Sequence, residues 1–304
     1  MKVKPITPRG YCMGVIRAIQ MVKKSTNLPK PIYILGMIVH NQYIVDAFSL
    51  IGIKTIDKKG ATRLELLEEI DQGTVVITAH GASKEVFEKA KEKGLYILDA
   101  TCPDVVTTHN LIKEYLTKGY DILYIGKKGH PEAEGSIAID PSRIHLITTK
   151  KDIDELTRSK KYVITNQTTM SLYDVFSLCE YADQHLPHLL IIKETCNATK
   201  VRQEAIASLD DDIDVIFIVG DPNSHNSKKL ASIAHEKSQK QVYLIESVKD
   251  ITVEMLKDKT VAAVSSGAST PTYLTKQVIA YLEDFDIENV ATHNTPDIDF
   301  QKII

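Results

Sequence analysis

The chain has 304 residues, 43% of them hydrophobic and 25% charged, with a formal net charge of −3. That balance supplies enough apolar material for buried cores and gives no electrostatic reason to bind nucleic acid. The start, Met1-Lys-Val-Lys-Pro5, lacks the apolar core of an export signal, and the longest strand-like apolar runs, about eight residues, fall short of a membrane span.

Four cysteines, none in a CxxC pair, are expected to be free thiols in a reducing cytoplasm. Taken in order, Val3 to Ile6 reads as a short strand before Cys12, and Gly14 to Lys24 as an amphipathic helix with Val15, Ile16, Ile19 and Val22 on one face. A strand from Tyr33 to Val39 delivers His40 and Asn41, and a helix from Tyr43 to Leu50 ends at Gly52. A short strand at Ile53 to Ile56, a charged helix at Arg63 to Glu69 and a strand at Thr74 to Thr78 lead to His80. A helix at Lys84 to Lys93, capped by Gly94, precedes a strand that ends before Cys102. Pro103 then falls where a helix would take its first turn.

The same alternation recurs, with strands near 121–125, 144–148, 162–165 and 189–193, then near 214–219, 242–246 and 261–265, followed by a helix over 272–284. Alternating strands and helices imply βαβ crossovers and parallel sheets. Cys12, Cys102 and Cys196 stand 90 and 94 residues apart. His40, His130 and Ser224 each follow their cysteine by 28 residues, and His80, Thr168 and Ser269 follow at 68, 66 and 73. Each of these residues closes an apolar run, so the chain reads as three α/β units offering a thiol and two polar side chains apiece from strand ends.

The fold expected is three pseudo-symmetric α/β domains with mainly parallel sheets around a central metal site. The units are placed at 11–99, 100–193 and 194–285, the third completed by the strand within 1–10, with a tail at 286–304 that packs back over the body. Three thiolates, one per unit, suit an iron–sulfur cluster or a zinc ion and leave one coordination position open for chemistry. A zinc hydrolase and a cluster-bearing sensor without catalysis are therefore alternatives to a redox enzyme. Cys179 breaks the phase on an apolar helix face and reads as core. Around the thiols, Gly129-His130-Pro-Glu132 joins an imidazole to a carboxyl, while Gln167-Thr168-Thr169, Asn223 to Ser227 and Gly267-Ala-Ser269 supply hydroxyls and amides. This is an anion site built without lysine or arginine.

The segments Pro8 to Ile19, Val39-His40-Asn41, Ala79-His80-Gly81, Asp99-Ala-Thr-Cys102-Pro103, Gly129-His130-Pro-Glu132, Asn166-Gln-Thr168-Thr169, Thr195-Cys196-Asn-Ala-Thr199 with Arg202-Gln203, and Gly267-Ala-Ser269 resemble the motif series of the LytB/IspH family. The likeness runs in order from residue 8 to about 275. It implies a cytoplasmic reductase acting on 4-hydroxy-3-methylbut-2-enyl diphosphate at the end of the non-mevalonate isoprenoid route. The hydroxyl is removed with two electrons and two protons to give isopentenyl and dimethylallyl diphosphates. It also implies a [4Fe-4S] cluster on Cys12, Cys102 and Cys196 and an electron donor such as ferredoxin or flavodoxin. Glu132 is then the proton source, and Thr168 the hydroxyl that orients substrate and relays the proton. His40, His80, His130, Ser224, Asn226 and Ser269 hold the diphosphate. The family pattern departs at His225, which replaces a serine and can either donate to phosphate or point away, and at Asp221-Pro222, which gives the preceding loop an atypical start.

Overall fold

The computed structural model describes residues 1–304. Its strands are β1 (Lys2–Pro5), β2 (Ile32–Leu35), β3 (Lys54–Ile56), β4 (Thr74–Ile77), β5 (Tyr96–Asp99) and β6 (Asp121–Ile125). They continue as β7 (Ile144–Ile147), β8 (Tyr162–Asn166), β9 (Leu189–Ile191), β10 (Val215–Val219), β11 (Gln241–Ile245) and β12 (Val261–Ser266). Three four-stranded sheets result, ordered β3-β2-β4-β5, β7-β6-β8-β9 and β11-β10-β12-β1. Every pairing is parallel, and the three orders are the same when each is read from its first crossover strand. No helix is long and apolar enough to cross a membrane.

The chain divides into two compact units, one of Arg17–Val39 with Gly52–Cys196, the other of Met1–Ile16, His40–Ile51 and Asn197–Ile304. The first carries two of the sheets, the second the remaining one.

The inner strands are mostly apolar, as helix-covered parallel sheets require, with polar residues only at their ends or next to them. Every residue of β4, β6, β8 and β10 is buried. Leu123, Ile125, Tyr162 and Ile164 pack one face of their sheet against Val175, Leu178, Cys179 and Ala182 of the helix Leu172–His185. Ile122, Tyr124, Ile144 and Val163 pack the opposite face with Ile112 and Ala133. Cys179 is thus a core side chain, its thiol pushed up to about 11 by burial. In the other unit the tail returns to the body, where the Tyr11 hydroxyl donates to the Ile303 carbonyl at 2.7 Å and Ile303 is buried.

The strand expected to run to Val39 stops at Leu35. Gly36 takes φ +82°, a left-handed conformation that L side chains rarely adopt, and its N–H bonds Ile56 O at 2.8 Å. The extended ladder therefore ends four residues early, and the chain turns before reaching His40.

Because each sheet is parallel, all its strands end on one edge, where open α/β folds bind their ligands. Cys12, Cys102 and Cys196 follow β1, β5 and β9; His80, Thr168 and Ser269 follow β4, β8 and β12; His130 and Ser224 follow β6 and β10.

Candidate functional site

In the unit with two sheets, Pro131 opens the helix Pro131–Ile137, and the residue before it, His130, is the cap. Nδ1 of His130 accepts the Glu132 N–H at 3.2 Å, so the neutral ring keeps its proton on Nε2. Glu132 is 1% exposed. Its Oε1 accepts the Thr168 N–H at 2.7 Å and its Oε2 the Thr168 hydroxyl at 3.0 Å.

Burial pushes the Glu132 carboxyl up to about 7 against the pull of those two donors and of Tyr124, and the Asp104 charge raises it further. The His80 ring meets His130 edge-on, with centroids 5.1 Å apart, and ligand atoms of His80, His130 and Glu132 lie within 4.8 Å of one another. Both carboxylate oxygens already accept from Thr168, which favours an acid–base group over a cation ligand.

The two thiols of this unit are tied to the same strand ends. Cys102 caps the helix Pro103–Thr117, its N–H donating to Ala79 O at 3.0 Å beside His80. The Cys196 N–H donates to the carbonyl of Thr168 itself at 3.2 Å. Arg17 Nη1 bonds Thr101 O at 2.9 Å, holding the peptide before Cys102.

In the single-sheet unit, the Cys12 N–H donates to Ala268 O at 3.1 Å, next to Ser269. The Ser269 hydroxyl donates to His40 O at 3.3 Å and lies 3.3 Å from the Ser224 hydroxyl, so three of the phased residues form one chain of contacts. Ser224 caps the helix His225–Ser238 through the Ser227 N–H. His225 and Asn226 fill its first turn and are buried, so His225 does not point out to solvent. Both polar atoms of the Asn226 amide are buried without a protein partner, which marks a place where a polar ligand is wanted. Asp221 accounts for the unusual loop: its Oδ1 accepts the Asn223 N–H at 2.6 Å and its Oδ2 the Gln42 N–H at 3.1 Å. Arg202 Nη2 holds Gly10 O at 2.7 Å, two residues before Cys12.

Cys12, Cys102 and Cys196 form no disulfide and are half-buried, each at or just before a helix start, where the helix dipole favours thiolate. A thiol so placed has the donor chemistry of a thiolate-held metal group. Arg17 and Arg202, which hold the loops before Cys102 and Cys12, and Asp221, which holds the loop before Ser224, carry no phase signal of their own; Arg17 and Arg202 are visible in sequence only as part of the longer motifs.

Parallel α/β sheets with a thiol at one edge of each, together with a carboxyl that burial pushes up to about 7, define a thiol-bearing protein of the parallel α/β class. The model of the LytB protein family matches residues 3–283, and the chain belongs to that family. It is 52% identical over 290 residues to a 4-hydroxy-3-methylbut-2-enyl diphosphate reductase of Geobacillus sp. (strain WCH70), covering 94% of this chain and 91% of that one. A reductase of the same name from Bacillus subtilis (strain 168) is 48% identical over 304 residues, covering 97% and 96%. Among solved structures, the E-1-hydroxy-2-methyl-but-2-enyl-4-diphosphate reductase of Plasmodium falciparum superposes with a TM-score of 0.87 at 30% identity, over 98% of this chain and 95% of that chain.

Proposed function

We propose that this chain is a 4-hydroxy-3-methylbut-2-enyl diphosphate reductase, removing the allylic hydroxyl as water to give isopentenyl and dimethylallyl diphosphates, the last step of the non-mevalonate route. The observation that carries the mechanism is the Glu132–Thr168 pair: a fully buried carboxyl, raised to about 7, doubly bonded to a threonine beside two histidines. Cys12, Cys102 and Cys196 would hold a [4Fe-4S] cluster, which when bound would pass on from an external carrier the two electrons of the reductive C–O cleavage, one of the two protons leaving with the hydroxyl as water and the other ending on an allyl carbon.

The protein's own part is placement and protons. Glu132 in its acid form donates a proton from a carboxyl oxygen to the departing hydroxyl, the role of a general acid poised near the working pH. Thr168, bonded to that carboxyl through both N–H and hydroxyl, orients it and passes a proton on. His130, with Nδ1 committed to the Glu132 amide, offers Nε2–H to the substrate side, and His80 packs against it. His40, Ser224, His225, Asn226 and Ser269 supply further donors for the diphosphate; the unsatisfied Asn226 amide supports that assignment. Electrons come from a small carrier of the ferredoxin or flavodoxin type. The setting is the cytoplasm, in keeping with four cysteines and no disulfide.

Anaerobic purification followed by iron, sulfide and zinc analysis, with turnover of the allylic diphosphate under a chemical reductant, tests the reading. Colourless zinc protein, or a cluster whose spectrum is indifferent to the diphosphate, would overturn it.

A further inference from the structure

The anion site legible in the sequence uses histidines, hydroxyls and amides, but a cation stands behind it. Arg63 opens the helix Arg63–Leu67 and turns its guanidinium inward. Nε donates to Leu35 O at 3.2 Å, Nη1 to Gly81 O at 3.0 Å and Nη2 to the Thr78 hydroxyl at 2.7 Å. Leu35 ends β2, while Thr78 and Gly81 bracket His80 in a turn closed by the Gly81 N–H on Thr78 O at 3.0 Å. The left-handed Gly36 leaves room for the fork, since a Cβ there would sit 3.3 Å from Nη2.

All three acceptors are neutral, and Glu134 and Asp57 act on Arg63 only from a distance. Desolvation lowers its pKa to about 10, so it remains a cation at neutral pH. Arg63 is half-buried at the edge of a cleft, and a partly desolvated charge with no carboxylate in contact still costs stability. Holding a turn does not account for that cost, because an uncharged amide can donate to carbonyls as well. Gly81, whose carbonyl Arg63 holds, is the residue after His80, and His80 packs against His130 beside Glu132. An anion held by His80 would therefore lie one residue along the chain from the carbonyl that the guanidinium holds, where a half-buried charge is screened less than one on the open surface.

We infer that Arg63 is a positioning residue for the anion at His80: its fork fixes the Thr78–Gly81 turn, and its unmatched charge draws a diphosphate it does not touch. This rests on the reductase reading of the site and adds to it the source of the positive field.

The test is the affinity of inorganic pyrophosphate for cluster-loaded enzyme, measured by calorimetry beside KM and kcat. Arg63→Gln keeps an amide donor and loses the charge; Arg63→Lys keeps the charge and loses the fork. The glutamine variant is expected to weaken pyrophosphate and raise KM about tenfold with kcat nearly unchanged, and the lysine variant to stay within about threefold of wild type. Equal loss in both variants, or none in Arg63→Gln, overturns the inference. Should Arg63→Gln not fold, Glu134→Gln carries the test. Glu134 is exposed, and it lines with Arg63 a cleft of about 560 Å³. Removing its charge is expected to tighten pyrophosphate about twofold, and unchanged affinity would refute the role of the Arg63 charge. Wild-type enzyme that binds no pyrophosphate would instead count against the reductase reading itself.

Discussion

Replacing Glu132 by Gln keeps the shape of the carboxyl and removes its proton. A glutamic acid titrating at its ordinary 4.5 would be protonated in roughly one molecule in 300 at pH 7, whereas Glu132, at about 7, is protonated in about half. Burial thus raises the supply of catalytic acid by about two orders of magnitude, and Glu132→Gln is expected to lower kcat by about 10² to 10⁴. One of Thr168's two donors would then face an amide NH₂, a local cost of about 1–3 kcal/mol that a folded domain can absorb. The assay is turnover at saturating substrate under chemical reduction from about pH 5.5 to 9, with iron, sulfide and pyrophosphate affinity measured alongside. Wild-type kcat is expected to be level below about pH 7 and to fall tenfold per pH unit above it, while the variant is low and level throughout. Stability should register the same group. A carboxyl whose folded pKa is raised contributes stability below about 4.5 that is lost as pH rises through about 7, a change of about 3 kcal/mol that Glu132→Gln removes. A variant that turns over within about tenfold of wild type, or that keeps the basic limb, would reassign the proton source.

Thr168→Val removes a hydroxyl that stabilises the ionised carboxylate, so the Glu132 pKa should rise and the basic limb of the pH–rate profile should move up by about one pH unit as kcat falls; a limb that stays put would separate the two residues. Asn226→Leu removes a buried amide without a protein partner, so the melting temperature should hold or rise while pyrophosphate affinity drops about tenfold; lost stability with unchanged affinity would make Asn226 structural. Gly10→Ala places a Cβ at φ +75° against Thr272 Oγ1, two residues before Cys12, and should cost about 1–3 kcal/mol and lower bound iron; normal stability and iron content would show that the loop adapts.

The repeat was legible because a parallel βαβ unit of fixed size returns each strand end to the same edge. The chain therefore places equivalent side chains at equivalent spacings. One part of the phase has a direct physical counterpart. Each cysteine N–H donates to the carbonyl of Ala79, Thr168 or Ala268, which is the late polar residue of the phase or its immediate neighbour. The spacing between those residues reflects a hydrogen bond between adjacent strand ends, formed in each of the three sheets. Asn226 was legible as a donor type, but its unsatisfied state depends on what packs around it and has no sequence signal.

What the spacing could not reveal depends on contacts outside the repeat. His40–Ile51 belongs in sequence to the first repeat yet packs with the third sheet's unit, where Asp221 receives Gln42 and the Tyr43 hydroxyl meets Ser247 at 2.9 Å. Arg63 shows the same limit. It lies in a charged stretch that reads as a weak helix, and the left-handed turn at Gly36 makes room for its guanidinium beneath the His80 turn. The periodic residues are those that point at the ligand edge, since all three sheets present that edge in the same way. The groups that tune them, Arg63 behind His80, Arg17 and Arg202 behind the cysteine loops, and burial around Glu132, come from what happens to pack beneath each edge and need not repeat. One architecture can therefore present a thiol three times and still place its buried carboxyl, Glu132, in a single sheet.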